Sequence, residues 1–211
     1  MRFHKKVIDE KAWEILSFLS KNNILKGFYL AGGTGCALIL GHRYSFDFDF
    51  FSEKKFNSSN IIKKILSLKS LRLNIEKEEE DTLIFFVKDI MFGFFYYPYK
   101  LLENPLCYKG IDIASLSDLG CIKLDTIAGR GKKRDFIDLY FIAKKIPLKE
   151  LFSLYIKKYK IKNNIMHVIR SLTYFEDAEK DPMPKMIKKI EWKEIKEFFL
   201  NIDYLSIIKN L

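Results

Sequence analysis

Two carboxylates one residue apart, Asp47 and Asp49, lie within the apolar run Ser45-Phe46-Asp47-Phe48-Asp49-Phe50-Phe51. Read as a strand over 45–51, this run sends residues i and i+2 to one face. Both aspartates then project together, while Phe46, Phe48 and Phe50 project the other way into a core. Neighbouring carboxylates repel unless something neutralises them. Mg²⁺ does so well, because it takes oxygen ligands and is commonly held by one or two carboxylates plus substrate phosphates. Upstream, the short apolar strand Phe28–Ala31 runs into Gly32, Gly33 and Thr34. Glycines let the backbone approach a ligand closely, and a helix over Thr34–Leu40 points its N-terminus, an anion site, at the same place. A phosphate-binding turn facing a metal-binding carboxylate pair is what nucleotidyl transfer requires.

A second group of charges crowds Ile122–Ile142, which contains Lys123, Asp125, Arg130, Lys132, Lys133, Arg134, Asp135 and Asp138. Lys123 is flanked by Cys121, Ile122 and Leu124, so it either snorkels or is aimed at a buried anion. Asp135 and Asp138 are three apart and share a helix face. Taken alone, these residues fit an ordinary salt-bridged helix pair, with Lys123 or Arg134 paired to Asp138, at least as well as they fit a site.

They do not stand alone. The Gly-Gly-Thr turn, the Asp-Phe-Asp strand and the later stretch Arg130-Gly-Lys-Lys-Arg-Asp-Phe-Ile-Asp-Leu-Tyr-Phe141, in this order, resemble the AbiEii/AbiGii toxin family. That family lies within the DNA polymerase β-like nucleotidyltransferases and is related to the MenT-type toxins. The resemblance covers essentially the whole chain. It implies an α+β fold, with an N-terminal nucleotidyltransferase domain on a mixed sheet (1–114) and a C-terminal helical domain (115–211). Asp47 and Asp49 would hold Mg²⁺ against the triphosphate of an NTP, and Gly32, Gly33 and Thr34 would cradle its phosphates. Ser45 matches the family's site-lining hydroxyl and Lys123 its active-site lysine. Asp138 matches its distal acid, acting as a base or orienting Lys123. Arg43, Arg130 and Arg134 could add phosphate contacts, with structural roles an equal alternative. The resemblance also implies a toxin of a toxin–antitoxin or abortive-infection module, with the tRNA 3′ end as an acceptor and a winged-helix antitoxin encoded nearby. Small-molecule nucleotidylation, such as antibiotic modification, and nucleotide or RNA binding without turnover remain as alternatives.

One departure concerns the third metal carboxylate that many polymerase β-like enzymes carry on a later strand. The candidate strand here, Ile90-Met91-Phe92-Gly93-Phe94-Phe95-Tyr96, has no acid, and Asp89 reads as a turn residue. A single Mg²⁺ with Lys123 as the second positive charge is a workable variant. His4, His42 and His167 form no sequence pattern of their own; His42 adjoins the site. Cys36, Cys107 and Cys121 lack metal spacing and read as reduced, mostly buried thiols of a cytoplasmic protein.

The elements that must position these residues follow from periodicity. Helices are expected at Val7–Lys21, Thr34–Leu40 with Gly41 as a stop, and from the Asn57 cap through about Leu68. Leu71–Glu78 alternates as a half-buried strand, and Thr82–Val87 with Ile90–Tyr97 reads as a hairpin closed at Lys88-Asp89. Beyond Pro105 the pattern turns helical. Expected helices are 118–129, capped by Ser115 or Ser117, then 134–145, 148–159, 163–175 and 192–201, with Asp181–Pro184 as an extended loop. No apolar run reaches membrane-spanning length, and the first residues lack a signal-peptide core.

The chain has 211 residues, a formal charge of +10 and 48% hydrophobic residues, a globular composition. Its positive charge suits a polyanionic partner. An AT-rich coding bias towards Lys, Ile, Phe, Asn and Tyr accounts for it equally well. If the acceptor is tRNA, some of Lys157, Lys158, Lys160, Lys162, Lys185, Lys188 and Lys189 are expected to form a basic rim continuous with the cleft; otherwise they are a solvated face.

Overall fold

Alternating aromatic residues build the centre of the sheet. In the computed structural model, which describes residues 3–161 and 165–209, strand β2 (Phe48–Ser52) buries Phe48 and Phe50 completely. They stack on Phe92 and Phe94 of β5 (Ile90–Tyr96) at centroid distances of 5.2 and 5.3 Å. β4 (Thr82–Val87) closes the expected hairpin with β5, its turn at Lys88 and Asp89, and adds Phe85 to the same stack. β3 (Leu73–Glu79) pairs outside β4 as the sheet edge. It is largely exposed rather than half-buried, with only Leu73 partly covered. On the other side of β2 come β1 (Tyr29–Leu30), β7 (Ile111–Ile113) and β6 (Leu106–Tyr108), giving a seven-stranded mixed sheet ordered β3-β4-β5-β2-β1-β7-β6. The β6–β7 hairpin was not expected. Lys109 and Gly110 at its turn both have positive φ, the two-residue connection that matches strand twist.

Around the sheet lie α1 (Glu10–Lys21), α2 (Gly32–Leu40) and α3 (Ser58–Ser67). Gly41 ends α2 in the left-handed conformation, and the Asn57 side chain caps α3 through the Asn60 amide. α4 (Leu116–Gly129) starts where the Ser115 hydroxyl accepts from the Asp118 amide. α5 (Lys133–Ala143) and α6 (Leu148–Tyr159) pack on it, and α4 and α5 both pack on α2. α7 (Ile165–Ser171) is shorter than expected, and the expected start at Asn163 lies outside the described residues. After the short α8 (Glu176–Glu179), α9 (Trp192–Leu200) seats Phe199 and Trp192 against Phe136 of α5, and α10 (Tyr204–Ile208) follows. One continuous cluster of buried apolar side chains runs through both the sheet and the helical region. Among the described residues no helix is long and apolar enough to cross a membrane.

The segment 184–188 is not a free loop. It returns to the N-terminal half and bridges Met186 to Arg43. The Tyr44 amide donates to Lys185 O, and the Ile187 and Lys188 amides both donate to His42 O.

Candidate active site

Strand β2 begins at Phe48, so Asp47 is the last residue of the approach and only Asp49 lies within the ladder. Both carboxylates nevertheless reach one cleft of about 810 Å³ between the sheet face and helices α4 and α5. Phe46 does not enter the core as the alternation suggested; it is 61% exposed and lines the cleft mouth. It precedes the paired residues, so no ladder fixes its direction.

The two glycines are required by close approach. A Cβ on Gly32 would lie 2.4 Å from Asp49 Oδ2, and one on Gly33 would lie 2.3 Å from Arg43 Nη2. Both glycines open α2 and line the cleft. Ala31, at the cap position, has no side chain to satisfy the first amides, which leaves this helix end open to an anion. Thr34 is different: it is buried and turned away from the cleft. Its hydroxyl donates to the Asp47 carbonyl and lies 2.7 Å from the Ser45 hydroxyl. The expected phosphate contact by the Thr34 side chain is thus replaced by a tie that fixes the loop delivering Asp47. Ser45, itself nearly buried, remains on the cleft wall.

Across the cleft stands Lys123, brought there by the buried middle of α4. Its ammonium is 2.7 Å from Asp135 and 2.7 Å from Asp138. Asp138 is fully buried and does not line the cleft. Its Oδ1 accepts from Arg43 Nε at 2.7 Å and sits 2.7 Å from His42 Nε2, while its Oδ2 accepts from Arg43 Nη2 at 2.9 Å. Every lone pair faces a cation or a ring N–H, which leaves the Asp138 carboxylate no free acceptor for a ligand. Arg43 lines the cleft but is locked to Asp138. Asp135, which sequence reasoning gave no role, also accepts from Arg130 at 3.2 Å. Arg134 is the most loosely paired of the cleft arginines, with Nη1 3.8 Å from Asp47 Oδ2.

Burial raises the cost of every charge in this network, and pairing decides the outcome. Burial opposes the Lys123 ammonium, yet Asp138 and Asp135 hold its pKa above the ordinary lysine value. Burial likewise opposes the Asp138 carboxylate, but Arg43 and Lys123 hold it well below the usual range. Burial lowers the His42 pKa, with Asp138 opposing the shift. Burial pushes the Asp49 carboxylate up, with Asp47 adding to the shift and Lys123 opposing it.

A cation bound at the Asp47–Asp49 pair would offset that repulsion, and hard oxygen donors suit Mg²⁺. Among the described residues no group of three or more His, Cys, Asp or Glu side chains could hold a metal. Gly93 pairs with Asp49 in register, and a Cβ there would lie 2.4 Å from the Phe95 ring. An aromatic ring therefore occupies the ground where a carboxylate from β5 would project. The three cysteines play no part; Cys36 and Cys121 are buried, their thiols pushed up to about 12 by burial, and Cys107 is exposed.

The expected basic rim is reduced. Lys158 is buried, 2.7 Å from Asp118, and donates to Lys100 O at 2.8 Å. Lys157 and Lys160 are exposed, Lys162 lies outside the described residues, and Lys185 lines the cleft over the Tyr44 ring.

No protein-family model matches the chain. It is 43% identical over 194 residues, 88% of this chain and 91% of its relative, to the uncharacterized protein aq_aa25 of Aquifex aeolicus strain VF5. The chain belongs to the family of that protein. Two solved structures from Helicobacter pylori share its fold. One is a candidate nucleotidyltransferase, with 21% identity, 96% of this chain and 97% of that chain covered, and a TM-score of 0.58. The other is JHP933, with 21% identity, 97% and 94% covered, and a TM-score of 0.57. The mixed α/β architecture described above is thus that of a solved chain described as a nucleotidyltransferase.

Proposed function

We propose that this protein is a Mg²⁺-dependent nucleotidyltransferase that moves an NMP from an NTP to an acceptor and releases pyrophosphate. The observation that carries the reading is that Asp47 and Asp49 line one cleft together with Lys123, Arg130 and Arg134. Mg²⁺ held by Asp47 and Asp49 would supply electrostatic stabilisation at the α-phosphate. The chain's own residues do the rest. The open N-terminus of α2 and Ser45 receive phosphate oxygens. Lys123, with Arg130 and Arg134, draws the pyrophosphate to the far wall and stabilises its developing charge. Asp138 and Asp135 hold Lys123 in place as positioning residues.

The sequence resemblance to AbiEii/AbiGii toxins supports a toxin role, with an RNA 3′ end such as that of tRNA as acceptor. The lining supports an anionic acceptor over a polycationic antibiotic. Beyond the metal pair its carboxylates reduce to Asp125, which already accepts from the Tyr155 hydroxyl at 3.0 Å, whereas Arg43, Lys123, Arg130, Arg134 and Lys185 all line it. The test is incubation of the protein with each labelled NTP, Mg²⁺ and total RNA, with gel analysis of the products. Label transfer to a discrete RNA, lost on chelation, is expected. Absence of transfer with all four nucleotides would overturn the reading.

A further inference from the structure

The sheet face that carries Asp49 continues as an aromatic track. Asp49 and Phe51 alternate onto one face, and Phe51 is in register with Phe95 of β5. Phe51 and Phe95 are half-buried and line the cleft. From there the rings run on without a gap: Phe95 to Phe51 at 5.9 Å, Phe51 to Tyr97 at 4.8 Å, Tyr97 to Tyr99 at 5.0 Å and Tyr99 to Tyr159 at 4.6 Å. The hydroxyls of Tyr97 and Tyr159 are hydrogen-bonded to one another, which ties the far end of the track to α6. Tyr99 is 38% exposed, and the residues that follow Tyr99 and Tyr159, Lys100 and Lys160, are exposed cations.

In an in-line displacement at the α-phosphate, the attacking and leaving oxygens lie on opposite sides of phosphorus. With the leaving pyrophosphate assigned to Lys123, Arg130 and Arg134, the acceptor oxygen needs an approach of its own, and Phe51 and Phe95 line the same cleft. A row of aromatic rings ending in lysines is what an unpaired nucleic-acid strand needs. Bases stack on the rings whatever their identity, and the lysines meet the phosphates.

We propose that Phe95, Phe51, Tyr97 and Tyr99 form the acceptor path, and that the acceptor enters as an unpaired single-stranded nucleic-acid end rather than as a duplex or a small molecule. This deepens the nucleotidyltransferase reading and rests on it for the need of an acceptor approach. In chemical terms, the terminal hydroxyl of the strand attacks the α-phosphorus, its proton leaves to water, the bond to the β-phosphate oxygen breaks and pyrophosphate departs.

The experiment measures binding without turnover. Fluorescence anisotropy of a short labelled single-stranded RNA, and of the same sequence as a blunt duplex, is compared for the wild type, Tyr99→Ala and Tyr99→Phe. In parallel, affinity for a fluorescent NTP with Mg²⁺ is measured on each protein, and thermal melting establishes that each is folded. The single strand is expected to bind better than the duplex. Tyr99→Ala should weaken it about tenfold, and Tyr99→Phe should restore it, because the ring is retained. NTP affinity should stay constant across the three. Equal single-strand affinity for the wild type and Tyr99→Ala, or preference for the duplex, overturns the path. Failure of the wild type to bind NTP instead strikes the nucleotidyltransferase reading, so the two failures are told apart.

Discussion

Replacing Asp47 by alanine removes a carboxylate whose side chain is 44% exposed and whose one ion pair is the loose contact with Arg134. Asp47→Ala should abolish transfer while melting as the wild type does, and undiminished turnover would remove the central claim. Lys123→Ala is a different experiment. Transfer should fall at least about a hundredfold, because a preorganised charge facing the phosphates is lost. Stability should also fall by about 3–5 kcal/mol, because Asp135 and Asp138 are left buried without their shared cation. Single-turnover assays and urea unfolding measure the two losses separately; an unchanged urea midpoint would contradict the buried network. Its pH dependence has a definite sign. The pKa of His42 is lowered when folded, so the unfolded chain binds the proton more readily as pH falls through about 6.5, and stability falls with pH from there. Asp138, with its folded pKa depressed, contributes stability that is present above about pH 3.9 and is lost as pH falls further. Melting temperature should therefore decline in two stages below neutrality, and His42→Gln should flatten the first; an equal slope in that variant would place the proton uptake elsewhere. The aspartate pair and Lys123 were legible because short local patterns announce them. The inward turn of Thr34 was not, since its partners, Ser45 and the Asp47 carbonyl, depend on the path of 41–47.

At the scale of elements, α6 shows how a lysine-rich run misleads. Leu151, Tyr155 and Tyr159 mark its buried face, and position 158 falls on it at helical spacing. That periodicity carried the signal, but the partner Asp118 lies forty residues away and no local pattern points to it. Lys158→Ala should cost about 3–5 kcal/mol, having stranded a buried carboxylate, whereas Lys157→Ala should stay within about 0.5 kcal/mol. Paired urea midpoints decide, and equal effects would refute the assignment of Lys158 as a structural residue. The β6–β7 hairpin was missed for a related reason. Its strands are three residues each, too short for periodicity, though Lys109-Gly110 between alternating apolar residues was a usable turn signal. The β4–β5 hairpin was legible because six and seven residues of aromatic alternation flank its turn.

For the molecule as a whole, the pattern turned helical beyond Pro105, ahead of the β6–β7 hairpin that completes the sheet, and the shared apolar core could not be read from it. Convergence of β2 with α4 on one cleft followed only from the family resemblance; periodicity says nothing about which distant helix faces a strand. Charge acts at this scale too. If exposed lysines such as Lys100, Lys160 and Lys185 meet phosphates, RNA affinity should fall steeply and log-linearly with salt. Neutralising Lys100 and Lys160 together should make that slope shallower by about two contacts' worth. A slope unchanged in that variant would leave the net charge of +10 to coding bias alone.

The segment 184–188 has a consequence in time. Pro184 and Lys185 complete the cleft rim, and the same segment secures His42, Arg43 and Tyr44 from the opposite end of the chain. A ribosome delivers these residues more than a hundred positions after the loop they brace. While the polypeptide is still emerging, the aspartate pair exists but its surround does not. The cleft thus stays unfinished until residues 184–188 have been made. Prematurely ended copies lacking the strap should be inert fragments rather than weaker enzymes, which transfer assays on chains stopped before residue 184 would reveal.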